Sequence, residues 1–162
     1  HKMGLMVLAP RDPARCEPVY RESIKYRLQT IRHNRLSTSF VPIKTRVYYV
    51  EEEAPRNAMY ACCDWVVVGG TLDDGAAVMP DIVTPIQAGR PVVIGPAGNS
   101  TPLTRAAVRA GAILAAHNFE ALFDLLKEII DAPSRAGERA ERARAWLQAQ
   151  PGAIARIVRA ID

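Results

Sequence analysis

The sequence predicts an α/β fold in which a parallel β-sheet is covered by helices on both faces. Short segments that are apolar throughout recur along the chain, and the segments between them place apolar residues at helical spacing. Strands without polar alternation are buried on both faces, and parallel strands are joined by helical crossovers. With 162 residues, of which 49% are hydrophobic and 23% charged, the chain has the size and composition of one globular domain.

Five apolar segments are the predicted strands of this sheet, and glycine or proline follows several of them directly. They are Leu5–Ala9, Arg46–Val50, Trp65–Val68, Val92–Ile94 and Ala112–Ala115. A weaker strand signal covers Val41–Ile43. Because helices separate the segments, we expect all neighbouring strands to run parallel, as in a Rossmann-like domain.

Capping residues and prolines mark where the intervening helices begin. Asp12-Pro13 opens a helix that we expect to reach about Gln29. Thr101-Pro102, Asn118 and Ser134 open three more. The remaining predicted helices are Ala58–Cys63, a segment near Asp81–Ala88 that stops at Gly89, and a last helix from Pro151-Gly152.

We interpret residues 4–162 as a single Rossmann-like domain and His1, Lys2 and Met3 as a cloning remnant. A strand so close to the start indicates a piece of a longer protein. No apolar segment approaches the roughly 20 residues that a membrane-spanning helix needs, and no signal peptide is recognisable.

Positive charge is concentrated in the first part of the chain. The net charge is +4, with 11 Lys and Arg against 6 Asp and Glu in residues 1–60, and 10 against 11 in the remainder. Such a bias favours phosphate-bearing ligands, nucleic acid or an anionic membrane surface, although a merely solvated basic helix face is equally compatible. No aromatic residues alternate with these charges, so we expect no nucleic-acid partner.

The cysteines and histidines indicate neither a disulfide framework nor a metal site. The three cysteines are Cys16, Cys62 and Cys63, and the three histidines are scattered without ligand spacing. We expect no metal and no cofactor, and the odd cysteine count suits a reducing compartment. Core packing is the expected role of Cys62 and Cys63.

Three loops follow predicted strands, where α/β sheets bind ligands beyond the carboxyl ends of their strands. Gly69, Gly70 and Thr71 form one, and glycines there let a phosphate or ribose approach backbone N–H groups. Gly95-Pro96, with Asn99 shortly afterwards, repeats the pattern before a helix. Arg11 ends the first strand and is suited to bind a phosphate or carboxylate. Simple turns, and a surface ion pair of Arg11 with Asp12, are the structural alternatives.

Catalytic groups are not legible in this chain. The loop acids Asp73, Asp74 and Asp81 have no partner base, and no Ser-His-Asp or Cys-His set is present. Together, the loops therefore predict a nucleotide-sized cleft without catalysis of its own.

Several motifs, in matching order, resemble the carboxyl-terminal half of the Kdo transferases, which transfer 3-deoxy-D-manno-octulosonic acid from CMP-Kdo to lipid A precursor. Pro10-Arg11-Asp12-Pro13 resembles the family's Pro-Arg-His-Pro, and Val68-Gly69-Gly70-Thr71-Leu72 resembles Val-Gly-Gly-Ser-Leu. Tyr60–Asp64 resembles Tyr-Ala-Ala-Ala-Asp. Further similarity covers Thr84–Val92, followed by Gly95-Pro96, and Gly152–Arg156.

The resemblance implies one half of a GT-B glycosyltransferase, an inverting enzyme of two Rossmann-like domains with the donor in the cleft between them. By position, contacts to CMP fall on Pro10 and Arg11, on Glu53 to Pro55, and on Asp81 to Thr84. The family's His-Asn-Pro-Leu-Glu becomes Pro80-Asp81-Ile82-Val83-Thr84, so Thr84 stands in place of a nucleotide-binding glutamate unless Asp81 substitutes for it.

The resemblance also implies partners beyond the donor. The family's catalytic carboxylate and its site for lipid A precursor lie in an amino-terminal half. The parent enzyme would act in lipopolysaccharide biosynthesis at the cytoplasmic face of the inner membrane of a Gram-negative bacterium, and would meet the membrane surface there. Two other functions stay open: a non-catalytic nucleotide-binding module, or half of another two-domain nucleotide-sugar enzyme such as an epimerase.

Overall fold

The computed structural model describes residues 4–35, 41–72 and 79–150, and the described residues form two compact units. Unit 1 is His1–Met59 and unit 2 is Tyr60–Asp162. Each unit contains a three-stranded sheet in which every neighbouring pair of strands is parallel. None of the described helices is long and apolar enough to cross a membrane.

In unit 1 the central strand is the most deeply buried element. The sheet order is β1-β3-β2, and Val47 pairs with Met6 on one side and Thr30 on the other. Val47 and Tyr49 are fully buried. The elements of this unit are β1 (Met6–Leu8), α1 (Pro13–Lys25), β2 (Thr30–Arg32), β3 (Val47–Tyr49) and the start of α2 (Glu53–Cys62).

Unit 2 also contains three parallel strands, but in sequential order, β4-β5-β6. Its elements are β4 (Val66–Val67), α3 (Val83–Gln87), β5 (Val92–Ile94), α4 (Pro102–Arg109), β6 (Leu114–Ala115), α5 (Phe119–Asp131) and α6 (Pro133–Gln148). Helix residues Ile82 and Ile86 pack with Val92 and Ile94 of the central strand in one cluster, while Val93 packs with Ile129 in another.

The five principal strand predictions and the parallel arrangement are confirmed, with each strand shorter than or equal to its predicted segment. Two helix starts are confirmed in atomic detail. The Thr101 side chain accepts a hydrogen bond from Thr104 N at 3.1 Å, and the Asn118 side chain accepts from Ala121 N at 2.8 Å. The single-domain interpretation of residues 4–162 stays a prediction.

The first helix ends earlier than expected, at Lys25 instead of about Gln29, and a missed strand, β2, follows it. Arg27 has φ +56°, in the left-handed region that stops a helix. Leu28 N then donates to Ser23 O at 3.2 Å, which satisfies a carbonyl of the last turn. A glycine at this position would have predicted the end of the helix, whereas an arginine in the left-handed conformation gives no such sequence signal.

Five smaller expectations need correction. Residues 41–43 form no strand, and Ile43 lies in a turn. Helix α2 begins at Glu53 instead of Ala58, and α6 begins after Ala132 without a side-chain cap from Ser134. Cys62 is exposed instead of packed in a core. The helix predicted near residues 81–88 is shorter, and the one predicted from Pro151 lies outside the described residues.

Candidate nucleotide-binding site

Three of the predicted site residues lie at the carboxyl edge of the sheet in unit 1. Pro10 and Arg11 follow β1, and Arg11 is exposed at the surface. Next to them the Asp12 carboxylate accepts from Ala14 N at 2.9 Å and caps α1. Glu53 is the first residue of α2, is separated from the end of β3 by three residues, and is exposed.

Arg56 joins the two loops that carry these residues. Its Nη2 donates to Pro10 O at 3.2 Å and lies 3.5 Å from Glu51 O. Its Nε is buried without a hydrogen-bond partner. One guanidinium therefore fixes the loop after β1 against the loop after β3, a positioning role that the sequence interpretation missed. No sequence signal marked it, because the predicted helix began only at Ala58.

A second arginine organises the same edge. The Arg32 side chain, 10% exposed, donates to Glu17 and lies 3.8 Å from Glu51 Oε1. Its guanidinium carbon stacks 3.8 Å from the centre of the Tyr20 ring. The hydrogen bonds from Arg32 and then Arg21 hold the pKa of Glu17 below its usual range. Glu51 also accepts from Asn34 at 3.2 Å, so its carboxylate is engaged within the chain.

At the carboxyl edge of the sheet in unit 2, Thr71 connects the ends of two strands. Its hydroxyl donates to Val68 O at 2.6 Å and accepts from Gly95 N at 2.8 Å. Thr71 is only 1% exposed, so its side chain faces the interior. Of the adjacent glycines, Gly69 is exposed and Gly70 adopts φ +75°. This loop therefore presents its glycine backbone, and not the threonine side chain, to the surface.

Asp81 and Thr84 lie together at the start of α3. Asp81 Oδ1 accepts from Val83 N and Thr84 N at 3.1 Å each, and Oδ2 accepts from the Thr84 hydroxyl at 2.7 Å. The carboxylate thus satisfies the first N–H groups of the helix. Free N–H groups at a helix start attract phosphate oxygens. Here the Asp81 carboxylate already accepts from them.

Asn99 is exposed in a short 3-10 turn, Pro96–Ser100, that follows β5. The turn is packed tightly, because a Cβ on Gly98 would lie 2.9 Å from Ile94 Cβ. Ala97 N donates to Thr71 O at 2.9 Å and attaches the turn to the neighbouring loop. Among the residues that the structure describes, no group of three His, Cys, Asp or Glu side chains is placed to hold a metal ion.

The chain matches no known protein-family model. A 3-deoxy-D-manno-octulosonic acid transferase from Bordetella pertussis is 32% identical over 104 residues, which are 64% of this chain and 24% of that protein. The crystal structure of the C-terminal CMP-Kdo binding domain of WaaA from Acinetobacter baumannii superposes with a TM-score of 0.79 at 22% identity, covering 89% of this chain and 74% of that one.

The resemblance to the carboxyl-terminal half of a Kdo transferase is confirmed. The expected fold is confirmed as well: parallel strands with helices, in the α/β arrangement of that domain. The chain spans about a quarter of the length of the curated relative that it matches. The donor-binding roles stay predictions for all the residues assigned to them: Pro10, Arg11, Glu53, Gly69, Gly70, Thr71, Asp81, Thr84 and Asn99.

Proposed function

We propose that this chain binds the nucleotide of CMP-Kdo or a related nucleotide sugar, as the donor-binding half of a glycosyltransferase of lipopolysaccharide biosynthesis. The observation that carries the proposal is the 32% identity with a Kdo transferase over 104 residues. In this proposal the acceptor is lipid A precursor, and the catalytic carboxylate belongs to an amino-terminal half. This chain supplies binding and orientation, and no catalytic group.

Arg11 is the residue that we assign to the negative charge of the donor. It is exposed at the carboxyl end of β1, where α/β sheets bind ligands. Arg56 holds Pro10, the preceding residue, through its carbonyl oxygen at 3.2 Å. The backbone that presents Arg11 is therefore fixed before a ligand arrives, which lowers the entropic cost of binding.

Titration of the chain with CMP and with UMP tests this assignment. We expect CMP to bind and Arg11→Ala to weaken its binding about tenfold or more, because one charge-assisted hydrogen bond is lost. Arg15→Ala is the matched control, since Arg15 is also exposed but lies within α1. Unchanged thermal stability would show that the effect is local. Equal affinity of the Arg11→Ala variant and the parent chain would remove Arg11 from the site.

A non-catalytic nucleotide-binding module is the second candidate, and the start of α3 favours it. Asp81 occupies the helix N–H groups, and Thr84, which stands in place of the family's glutamate, donates its hydroxyl to that same carboxylate. A donor site of the family's kind would need both positions changed. The loop as it stands is arranged to complete its own hydrogen bonds.

Substitutions at these two positions separate the candidates. If the loop holds nucleotide as the family does, Thr84→Glu restores a charge-assisted hydrogen bond of about 1.5–3 kcal/mol, a ten- to hundredfold gain in CMP affinity. Asp81→Asn in the same background removes the competing carboxylate and should increase the gain. If neither substitution changes CMP affinity, this loop does not hold the nucleotide, and the binding module becomes the better description.

A further inference from the structure

Helix α5 of unit 2 has two apolar faces, and one of them is exposed. The residues that pack into the core cluster around the central strand are Leu122, Leu125 and Ile129. On the other face, Phe119 is 71% exposed, Phe123 is 69% exposed and Ile130 is 62% exposed. Large apolar side chains gathered on one surface favour a partner that removes them from water.

The exposed face has the residue spacing of a coiled coil. Its apolar residues follow one another at intervals of four, three and four, and they are Phe119, Phe123, Leu126 and Ile130. This is the spacing of alternating d and a positions in a heptad. Leu126 is half-buried and lies in a shallow apolar depression that Trp65 and Lys127 also line. We call these four apolar residues the α5 seam.

Two opposite charges lie along one side of the α5 seam. Glu120 and Lys127 are both exposed, and each directly follows a d position of the seam. They therefore occupy equivalent e positions, from which side chains reach across to a neighbouring helix. The g positions on the other side are Leu122 and Ile129, which pack into the core of unit 2. A helix that docks on the seam thus meets one acid and one base, both on the same side.

We propose that the α5 seam docks, antiparallel, onto the α5 seam of a second copy of this chain. In that register Phe119 packs against Ile130 of the second copy and Phe123 packs against its Leu126, so that all four layers are apolar. A two-fold axis makes each contact occur twice. Glu120 then faces Lys127 of the second copy, and two symmetric ion pairs flank the apolar layers.

A parallel pair of α5 helices would use less of this surface. Its e positions would face the g positions of the second copy, Leu122 and Ile129, which are already packed in the core, so neither charge would gain a partner. The antiparallel pair satisfies both charges, and its complementarity follows from the symmetry alone.

The length of the seam sets the strength of the association. Helix α5 has 13 residues and is about 20 Å long. A single helix face of this length buries less than the about 800 Å² per partner that is typical of stable complexes, so we expect a dimer that forms at tens to hundreds of micromolar, roughly. Nothing in this pairing depends on which nucleotide the chain binds.

Analytical ultracentrifugation of the full chain tests the proposal. We expect the average mass to rise from 17.8 kDa towards twice that value between about 5 and about 500 μM. Phe123→Ser should weaken the association about tenfold or more, because two symmetry-related layers each lose an aromatic side chain. Ile43→Ser is the matched control. It shortens a side chain of unit 1 that is 93% exposed, and it should leave the association unchanged.

Charge reversal tests the antiparallel register. Glu120→Lys and Lys127→Glu each place like charges opposite one another, and each should weaken self-association about fivefold, a difference that high salt removes. An equimolar mixture of these two variants should associate at least as tightly as the parent chain, because Lys then meets Glu at both ends of the seam. Glu141→Lys reverses an exposed charge on α6 and should associate as the parent chain does.

Four results would overturn the proposal. The first is a mass of 17.8 kDa at every concentration, and the second is a dimer that Phe123→Ser leaves intact. The third is a mixture of the two charge variants that stays monomeric while the parent chain dimerises. The fourth concerns another occupant: if only a chain shortened by residues 151–162 dimerises, that segment covers the α5 seam in the full chain and a second copy does not.

Discussion

The carboxyl edges of the two parallel sheets are built from different kinds of contact. In unit 1, charged side chains meet: Arg32 lies between Glu17 and Glu51, and stacks on an aromatic ring. In unit 2, a buried hydroxyl connects the strand ends instead. The Thr71 hydroxyl donates to Val68 O and accepts from Gly95 N. Two parallel three-stranded sheets are thus closed by electrostatics in one unit and by close packing in the other.

This difference assigns different properties to the two edges. We expect the charged edge in unit 1 to respond to pH and salt, and its exposed residue Arg11 to meet a ligand's phosphate. The edge in unit 2 has no room for added atoms at Gly95 and Gly98, because neighbouring atoms lie within 3 Å of where a Cβ would stand. These two glycines allow this close packing, and the partly buried start of α3 already has its N–H groups bonded to the Asp81 carboxylate.

The largest effect is expected at the packed edge. A Cβ on Gly95 would lie 2.3 Å from Thr71 O and 2.7 Å from Leu72 Cα, both backbone atoms that cannot rotate away. Gly95→Ala should therefore destabilise unit 2 by about 3 kcal/mol or more, measured by urea unfolding. Gly69→Ala, with nothing within 4 Å of the added Cβ, should stay within about 0.5 kcal/mol. Similar losses in both variants would contradict close packing as the basis of this edge.

At the charged edge in unit 1, we expect folding stability to depend on pH. The pKa of Glu17 is lowered in the folded chain, chiefly by its hydrogen bond from Arg32, from an ordinary value near 4.5. A lowered folded pKa gives stability that is present above the unfolded value and is lost as pH falls through the folded one. We expect Glu17→Gln to flatten the decline of Tm below about pH 5.

The control for this prediction is Glu22→Gln, which removes an exposed carboxylate paired with Lys25 at 3.3 Å. Exposed pairs of this kind contribute little, so its acid profile should follow the parent chain. Should the Glu17→Gln profile also coincide with that of the parent, the Arg32 network does not link this edge to pH.

Much of the fold was predictable because its signals are local. The strands around Val47 and Val93 are short apolar runs, and these positions are fully buried. The helix starts at Asp12, Thr101 and Asn118 follow from side chains that bond N–H groups two or three residues later. Asp81 likewise accepts from N–H groups two and three residues later, and its spacing to Thr84 is the local signal of that contact.

The candidate site was less predictable because its contacts join distant parts of the chain. Arg56 reaches Pro10 across 46 positions, and Arg32 joins Glu17 and Glu51 from a strand that was itself missed. No spacing rule connects such residues. Thr71 was assigned to a nucleotide-binding loop because it follows two glycines at a strand end, and nothing in its sequence position showed that its hydroxyl would be buried between two strand ends.

The smallest effect concerns how the two units end their helices. After α3 and α4 the chain turns through Gly89 and Gly111, with φ +71° and +65°, whereas after α1 it turns through Arg27 with φ +56°. A left-handed conformation costs a residue with a Cβ about 1–2 kcal/mol, and glycine avoids it. Glycine loses more backbone entropy on folding than arginine does, which offsets part of this relief of strain. We therefore expect Arg27→Gly to stabilise unit 1 by about 0.5–1 kcal/mol.

Two variants isolate the backbone from the side chain. Arg27→Ala removes the same guanidinium but keeps the Cβ, and should not stabilise the chain. Gly111→Ala should destabilise unit 2 by about 1 kcal/mol through φ alone, because the nearest atom to its Cβ, Arg142 Nη1, is 4.0 Å away. If Arg27→Gly and Arg27→Ala shift the urea midpoint equally, strain at this turn is not the cause.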